Sequence, residues 1–219
     1  MVPASHAGNI ELTKQDMIST PLSNWSGQNV DGVLGSDVFG RFGAMKLDLP
    51  HRMLTVLGLE GPIPLANTLL VGRPGTQLPA DLLPGVPVVT QPMTVVHALG
   101  SIAAYTNVGV SGQGPNPFVV DTGSPFTTLS SDLANSFHVA SNGSGTPPGG
   151  IGCTSPVTTL VRTVVALGST SLRISTLRSM PITGPQRAGI RGGLGLDFMG
   201  KYGTVIVYYA AAALALANG

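Results

Sequence analysis

Phe118-Val119-Val120-Asp121-Thr122-Gly123-Ser124 is the stretch that decides the fold. Three apolar residues, two of them β-branched, read as a strand. The Asp-Thr-Gly-Ser that follows reads as a tight turn, because glycine and short polar side chains accept turn geometry at little steric cost. A strand ending on Asp121 holds a carboxylate at a fixed place on the rim of a β-domain. The plain alternative is an ordinary turn aspartate. A carboxylate so held suits hydrolysis by an activated water, but that chemistry takes two carboxyl groups, one to accept the water's proton and one to polarise the carbonyl under attack. A solitary aspartate titrates near ~3.9 and has no proton to offer at neutral pH. The sequence contains the DTG triplet once.

An internal repeat places this motif. Val30 to Ala44 (VDGVLGSDVFGRFGA) aligns without a gap on Ile190 to Thr204 (IRGGLGLDFMGKYGT), an offset of 160 residues. Gly32/Gly192, Leu34/Leu194, Gly35/Gly195, Asp37/Asp197, Gly40/Gly200 and Gly43/Gly203 coincide. Each copy reads as an apolar strand, a Leu-Gly turn, one short helix and a hairpin. Ser36 or Asp37 is expected to cap the first helix and Gly43 to close it. Asp37 and Asp197 are read as capping or surface residues, and Asp31 aligns with Arg191, so neither of that pair is a repeated functional position. A spacing this wide is no solenoid; it indicates two lobes. Residues 1–58 read as the C-terminal half of a first lobe, 59–92 as a proline-rich connector with one strand near Leu69 to Val71, and 93–219 as a complete second lobe. Within that lobe strands are expected over 94–99, 103–110, 118–121, 157–167 and 171–177, a turn over 111–116, a short helix over 131–137 and a loop or hairpin tip over 141–152.

Composition narrows the function classes. Charged residues make up 10% and the formal net charge is +1, which points away from nucleic acid and anionic membranes. One cysteine, Cys153, provides no disulfide framework and no thiolate cluster. His6, His51, His97 and His138 stand far apart, so no metal or other cofactor is expected. Asn24-Trp25-Ser26 and Asn142-Gly143-Ser144 match a glycosylation sequon, a signal close to background. The N-terminus lacks the apolar core of a signal peptide. The C-terminal apolar run, Val205 to Ala217, is about 13 residues long, short of the ~20 that cross a bilayer as a helix. In the same register Met45 to Val56 lies over Val205 to Leu216, and this first copy carries Lys46, Asp48, Pro50, His51 and Arg52, so both copies are expected to be hairpins with no membrane span.

An apolar strand with DTGS, followed downstream by Gly193-Leu194-Gly195-Leu196-Asp197-Phe198, is similar to a lobe of the pepsin-like and retropepsin-like aspartic proteases. With the paired DGVLGSDVFGRFG and GGLGLDFMGKYG segments, the chain resembles the C-terminal aspartic-protease-like domain of mycobacterial PE and PE_PGRS proteins over most of residues 20–210. The resemblance implies an all-β, bilobal acid-protease fold of barrel-like lobes with short helices, the first lobe incomplete. It implies a polypeptide substrate and cell-surface location through type VII secretion. It makes Asp121 catalytic and Thr122, Gly123 and Ser124 the supports of its turn. Thr122 would bridge to the opposite lobe, Gly123 would permit unusual φ, and Ser124 would donate to Asp121. Leu194 and Gly195 would pack behind the turn. The chain departs from that family in having no PE domain, no Gly-Ala-rich tract, no first DTG and no first-lobe flap. The repeat offset puts the counterpart of Asp121 roughly 40 residues before Met1, so the expectation is a truncated or mis-started form, inactive alone. Two alternatives stand beside it: a non-catalytic peptide-binding module, and a dimer joining two second lobes through two copies of Asp121.

Overall fold

The computed structural model describes residues 5–7, 10–12, 34–58, 68–79, 82, 87–98, 101–137, 141–145, 158–182 and 189–218. Cys153, His138, Asp31, the Asn24 sequon and the loop tip at 146–152 lie outside them. Near the N-terminus, β1 (Ser5–Ala7) and β2 (Ile10–Leu12) form a short antiparallel hairpin in which His6 faces Glu11.

A second compact unit holds the other described elements, and its class is all-β with a few short helices. In chain order these are α1 (Ser36–Phe39), β3 (Gly43–Asp48), β4 (Met53–Gly58), β5 (Thr68–Val71), β6 (Val89–Ala98), β7 (Ser101–Val110), β8 (Gln113–Val120), β9 (Thr128–Ser130), α2 (Ser131–Ser136), β10 (Ser141–Gly145), β11 (Thr158–Leu167), β12 (Thr170–Met180), β13 (Gly192–Leu194), α3 (Leu196–Met199), β14 (Gly203–Tyr208) and β15 (Ala213–Asn218). The strands join in one sheet in the order β10-β11-β12-β9-β13-β8-β7-β6-β15-β14-β3-β4, with β5 added on β6. The sheet is open, ending at β10 and β4, and so is not the closed barrel expected. It does curl enough for Val165 and Ala166 of β11 to pair with Val110 and Gly109 of β7.

Two strand starts differ most from the sequence reading. The turn placed at 111–116 is confined to Ser111 and Gly112, whose φ of 52° and 76° complete it in two residues, and β8 starts at Gln113. Prolines 115 and 117 are tolerated in β8 because β13 pairs only with Phe118 to Val120, so this part of β8 has one edge without a strand partner among the described residues. Strand β6 begins at Val89, inside the segment read as connector. Pro92, read as the last residue of the connector, lies within this strand opposite Ala213, and its carbonyl accepts from Thr106 Oγ1 at 3.1 Å.

The repeat is copied in structure, residue for residue. Helix α1 and hairpin β3–β4 recur as α3 and β14–β15 at the same offset of 160, each helix continuing through a 3-10 turn to a glycine at φ 88° (Gly43) or 83° (Gly203). Those angles favour glycine. The expected side-chain cap is absent: Gly35 and Gly195 occupy the N-cap positions and neither helix has a side-chain cap hydrogen bond. The two hairpins pair antiparallel through β3 and β14, from Ala44↔Tyr208 to Asp48↔Thr204. At the centre Lys46 faces Ile206, and these two are repeat equivalents, so an approximate two-fold axis passes between them. The apolar C-terminal run is thus strand, and no helix among the described residues is long and apolar enough to cross a membrane.

The copies differ in burial. Strand β15 lies between β14 and β6, and Ala213 to Ala217 are at most 1% exposed. Strand β4 ends the sheet, and Met53 and Leu54 are 58% and 47% exposed. Leu54 and Leu214 are repeat equivalents in opposite environments. Leu214→Ala is therefore expected to cost about 2–5 kcal/mol in urea denaturation, and Leu54→Ala less than about 1 kcal/mol. Similar losses at the two positions would contradict the assignment of β4 as an edge.

Candidate active site

Strand β8 alternates cleanly. Phe118 and Val120 turn into the core at 0% and 8% exposure, while Pro117 and Val119 take the opposite face. Asp121, two residues beyond Val119, continues that second face and reaches solvent. Its position is fixed from below by β13, which is threaded between β8 and β9. Gly192 to Leu194 run parallel to Phe118 to Val120 on one side and antiparallel to β9 on the other. Asp121 N–H donates to Leu194 O at 3.1 Å, and Leu196 N–H donates to Ser124 O at 2.9 Å. The DTGS turn is thereby tied to the second motif at both ends. Leu194 and Gly195 do lie behind the turn, both buried.

The sequence GGLG follows from this threading. A Cβ on Gly192 would lie 2.3 Å from Thr128 O and 2.5 Å from the Phe118 ring. One on Gly195 would lie 2.4 Å from the carbonyl carbon and oxygen of Phe126.

The turn's own hydrogen bonds correct two expectations. Ser124 Oγ donates to Phe126 O at 2.8 Å and accepts from Phe126 N–H at 3.3 Å, so its proton is directed away from Asp121. Asp121 instead receives Gly123 N–H at 3.1 Å on Oδ1. Gly123 is not among the glycines with positive φ, and a Cβ there would sit 3.5 Å from Asp121 Oδ1. Glycine at this position keeps the approach to the carboxylate bare; it supplies no left-handed backbone. Thr122 is half-buried.

Asp197 was read as a cap or surface residue and is neither. Its Oδ1 accepts both Thr127 N–H at 2.7 Å and Thr127 Oγ1 at 2.5 Å, and Thr127 Oγ1 in turn accepts Gly195 N–H at 3.1 Å. This chain clamps the segment leaving the DTGS turn onto the start of α3. Arg178 of β12 adds a second brace, its guanidinium lying 3.7 Å from the centre of the Phe126 ring. Thr127 carried no signal of its own in the sequence, although an aspartate at the same place in both repeats was a hint of a shared task. In the first copy Leu34 is 39% exposed against 0% for Leu194, and no DTG turn covers it among the described residues.

Protein atoms around the Asp121 carboxylate strip part of its hydration and raise its pKa above the ordinary 3.8, while the N–H groups of Gly123 and Ser124 pull it partly back. The native state then holds this proton more tightly than the unfolded chain. The resulting stability is fully present below pH 3.8 and is lost as pH rises through the native pKa. Asp121→Asn removes that penalty, and Asn can still accept from Gly123. The variant is expected to melt above the wild type at neutral pH, the difference closing as pH falls below 3.8. Equal melting points across the whole range would contradict the raised pKa.

No family model and no curated protein matches the chain. Among solved structures it resembles a retropepsin-like aspartic protease from Rickettsia conorii, with 13% identity over 58% of this chain and 88% of that one, at a TM-score of 0.36.

Proposed function

We propose that Asp121 is one carboxylate of a two-carboxylate peptidase site and that the chain belongs to an aspartic endopeptidase. The observation that carries this reading is the placement of Asp121: a carboxylate at the solvent end of a buried strand, anchored to Leu194 and shifted toward keeping its proton. In the reaction, the ionised member of the pair takes a proton from water, and the hydroxide equivalent bonds to the scissile carbonyl carbon. The protonated member transfers its proton to the carbonyl oxygen as that bond forms, giving a neutral tetrahedral diol. Collapse of the diol returns a proton to the departing amine as the C–N bond breaks. A raised pKa suits Asp121 to the protonated role. The chain has one DTG, so the second carboxylate comes from another lobe. The two-fold route through a second copy is the less favoured source, because β14, which lies at the approximate two-fold axis, is already paired with β3 of the same chain. The resemblance to PE-type surface proteins, carried by Asp121-Thr122-Gly123-Ser124 and the paired repeat segments, makes mycobacterial surface proteins the class in which to look for that lobe.

A second reading, a peptide-binding module without catalysis, is favoured by the single DTG. The two are separated by mass-spectrometric detection of new termini in a mixed peptide library. The peptidase reading expects none from this chain alone, and pepstatin-sensitive cleavage from a form carrying a second DTG lobe. A folded two-DTG form that cleaves nothing would leave the binding module.

A further inference from the structure

His97 lies on the core-facing side of β6 at 2% exposure, and neither of its ring nitrogens has a hydrogen-bond partner. A polar group buried unpaired loses its water and receives nothing in return, a cost that leucine at the same place would avoid. The ring occupies one cross-strand row, opposite Thr68 of β5 and Ile102 of β7. Ile102 in turn meets the helix of the first repeat copy. Gly40, where α1 passes into its 3-10 turn, approaches so closely that a Cβ there would lie 2.4 Å from Ile102 Cδ1.

Helix α1 is seated less deeply than its repeat equivalent. Phe198 and Met199 of α3 are 0% exposed, and Asp197 clamps that helix through Thr127, whereas Phe39 of α1 is half-buried and Leu34 before it is exposed. No charge stands by to receive an imidazolium beneath it. Strands β5 and β7 contain no Asp, Glu, Lys, Arg or His, and Tyr105 of β7 faces Thr94 on the other side of the sheet. The charged groups of α1 and its 3-10 turn are Asp37 and Arg41. The Asp37 carboxylate is turned back toward Gly35, whose Cβ would meet it at 2.5 Å, and Arg41 Nε donates to Asp37 O at 3.1 Å. Burial alone therefore acts on His97 and holds its pKa below the ordinary 6.5.

We infer that His97 is an acid-sensitive latch for α1: when the ring takes up a proton it leaves the core, and the contact of Gly40 with Ile102 loosens with it. The closed state holds this proton more weakly than an open or unfolded one, so the latch is fully closed above pH 6.5 and weakens as pH falls from 6.5 toward the native pKa. One proton is taken up on opening, so the open population grows about tenfold per pH unit over that window. Leu34 and Gly35, which lead into α1, match the pair that holds the DTGS turn in the second copy. On the peptidase reading, the latch thereby governs the support offered to the partner carboxylate's turn; the latch itself stands on the packing at His97 and not on that reading.

The test is hydrogen exchange on the whole chain, followed by NMR from neutral pH into acid and corrected for the intrinsic pH dependence of exchange. The amides of Val38 and Phe39, which donate to Gly35 O in the closed state, are expected to lose protection about tenfold per pH unit below 6.5. Their exchange is expected to be insensitive to dilute urea, the mark of a local opening, while that of Ser130 and Arg191, bonded in the threading of β13, rises with urea. His97→Leu, or His97→Gln where leucine does not fold, is expected to abolish the pH dependence at α1. Direct NMR titration of the wild-type ring is expected to place its midpoint below 6.5. A flat wild-type profile, a slope that survives removal of the imidazole, a ring that titrates at 6.5 or above, or exchange at α1 as urea-sensitive as that of Ser130 and Arg191 would each overturn the latch. In a two-DTG form, His97→Leu is expected to extend cleavage to lower pH. A latch that opens in a folded two-DTG form that cleaves nothing would stand, and would refute the peptidase reading alone.

Discussion

Asp121→Asn, introduced into a form of the polypeptide that carries a second DTG lobe, is expected to lower kcat for peptide hydrolysis by about 10⁴-fold or more with little change in KM. The size of the effect follows from the role. Asparagine matches the carboxyl in shape and accepts the same N–H from Gly123, so the turn and the substrate's resting place are preserved. Its amide N–H can hydrogen-bond the substrate carbonyl but is not acidic, so it cannot transfer a proton to the carbonyl oxygen as the diol forms. The same variant is expected to be the more stable protein at neutral pH, since burial disfavours the ionised Asp121. Loss of activity together with a raised melting point separates a catalytic residue from a structural one, because a residue that merely holds the turn would lose both. Retained activity, or a fall in KM and kcat explained by unfolding, would contradict the assignment.

The second large effect is expected at Gly195. Its missing Cβ would overlap the backbone of Phe126, which is tied on both sides: Ser124 Oγ holds the Phe126 carbonyl and Asp197 holds the next amide. Neither neighbour can retreat without breaking a partly buried hydrogen bond. Gly195→Ala is expected to destabilise the fold by about 3 kcal/mol or more, a fall of roughly 6–12 °C in Tm for a chain of this size. The repeat provides the control. A Cβ on Gly35 would meet only the Asp37 carboxylate, at 2.5 Å, and a flexible side chain can swing aside. Gly35→Ala is expected to cost less than about 1 kcal/mol. Calorimetry of the two variants checks both figures, and equal costs would show that the threading of β13 does not set the need for glycine.

Much of this was legible in the sequence because the chain is written twice. Six coincident positions at one offset fixed α1 and α3, their closing glycines and both hairpins, including the C-terminal one that hydropathy alone would have left open to a membrane reading. The apolar strand into DTGS likewise located Asp121 and its attachment to Leu194. What could not be read were contacts between segments far apart in the chain. Thr127 and Asp197 meet across 70 residues, and nothing in either neighbourhood names the other. Helix capping failed for a related reason: an aspartate in the first turn satisfies the local rule, yet Asp197 makes its two hydrogen bonds to Thr127, just before β9, where a buried N–H and hydroxyl need an acceptor. Pro92 and the prolines of β8 were misread because proline's cost in a strand depends on which way its missing N–H faces, and pairing decides that.

The catalytic assignment of Asp121 is tested by one comparison: a mixed peptide library incubated from acid to neutral pH with the two-DTG form, wild type beside Asp121→Asn, with new termini read by mass spectrometry. Cleavage is expected from the wild type, suppressed by pepstatin and absent from the equally folded variant. Cleavage that persists in Asp121→Asn, or a folded wild type that cleaves nothing, would contradict it.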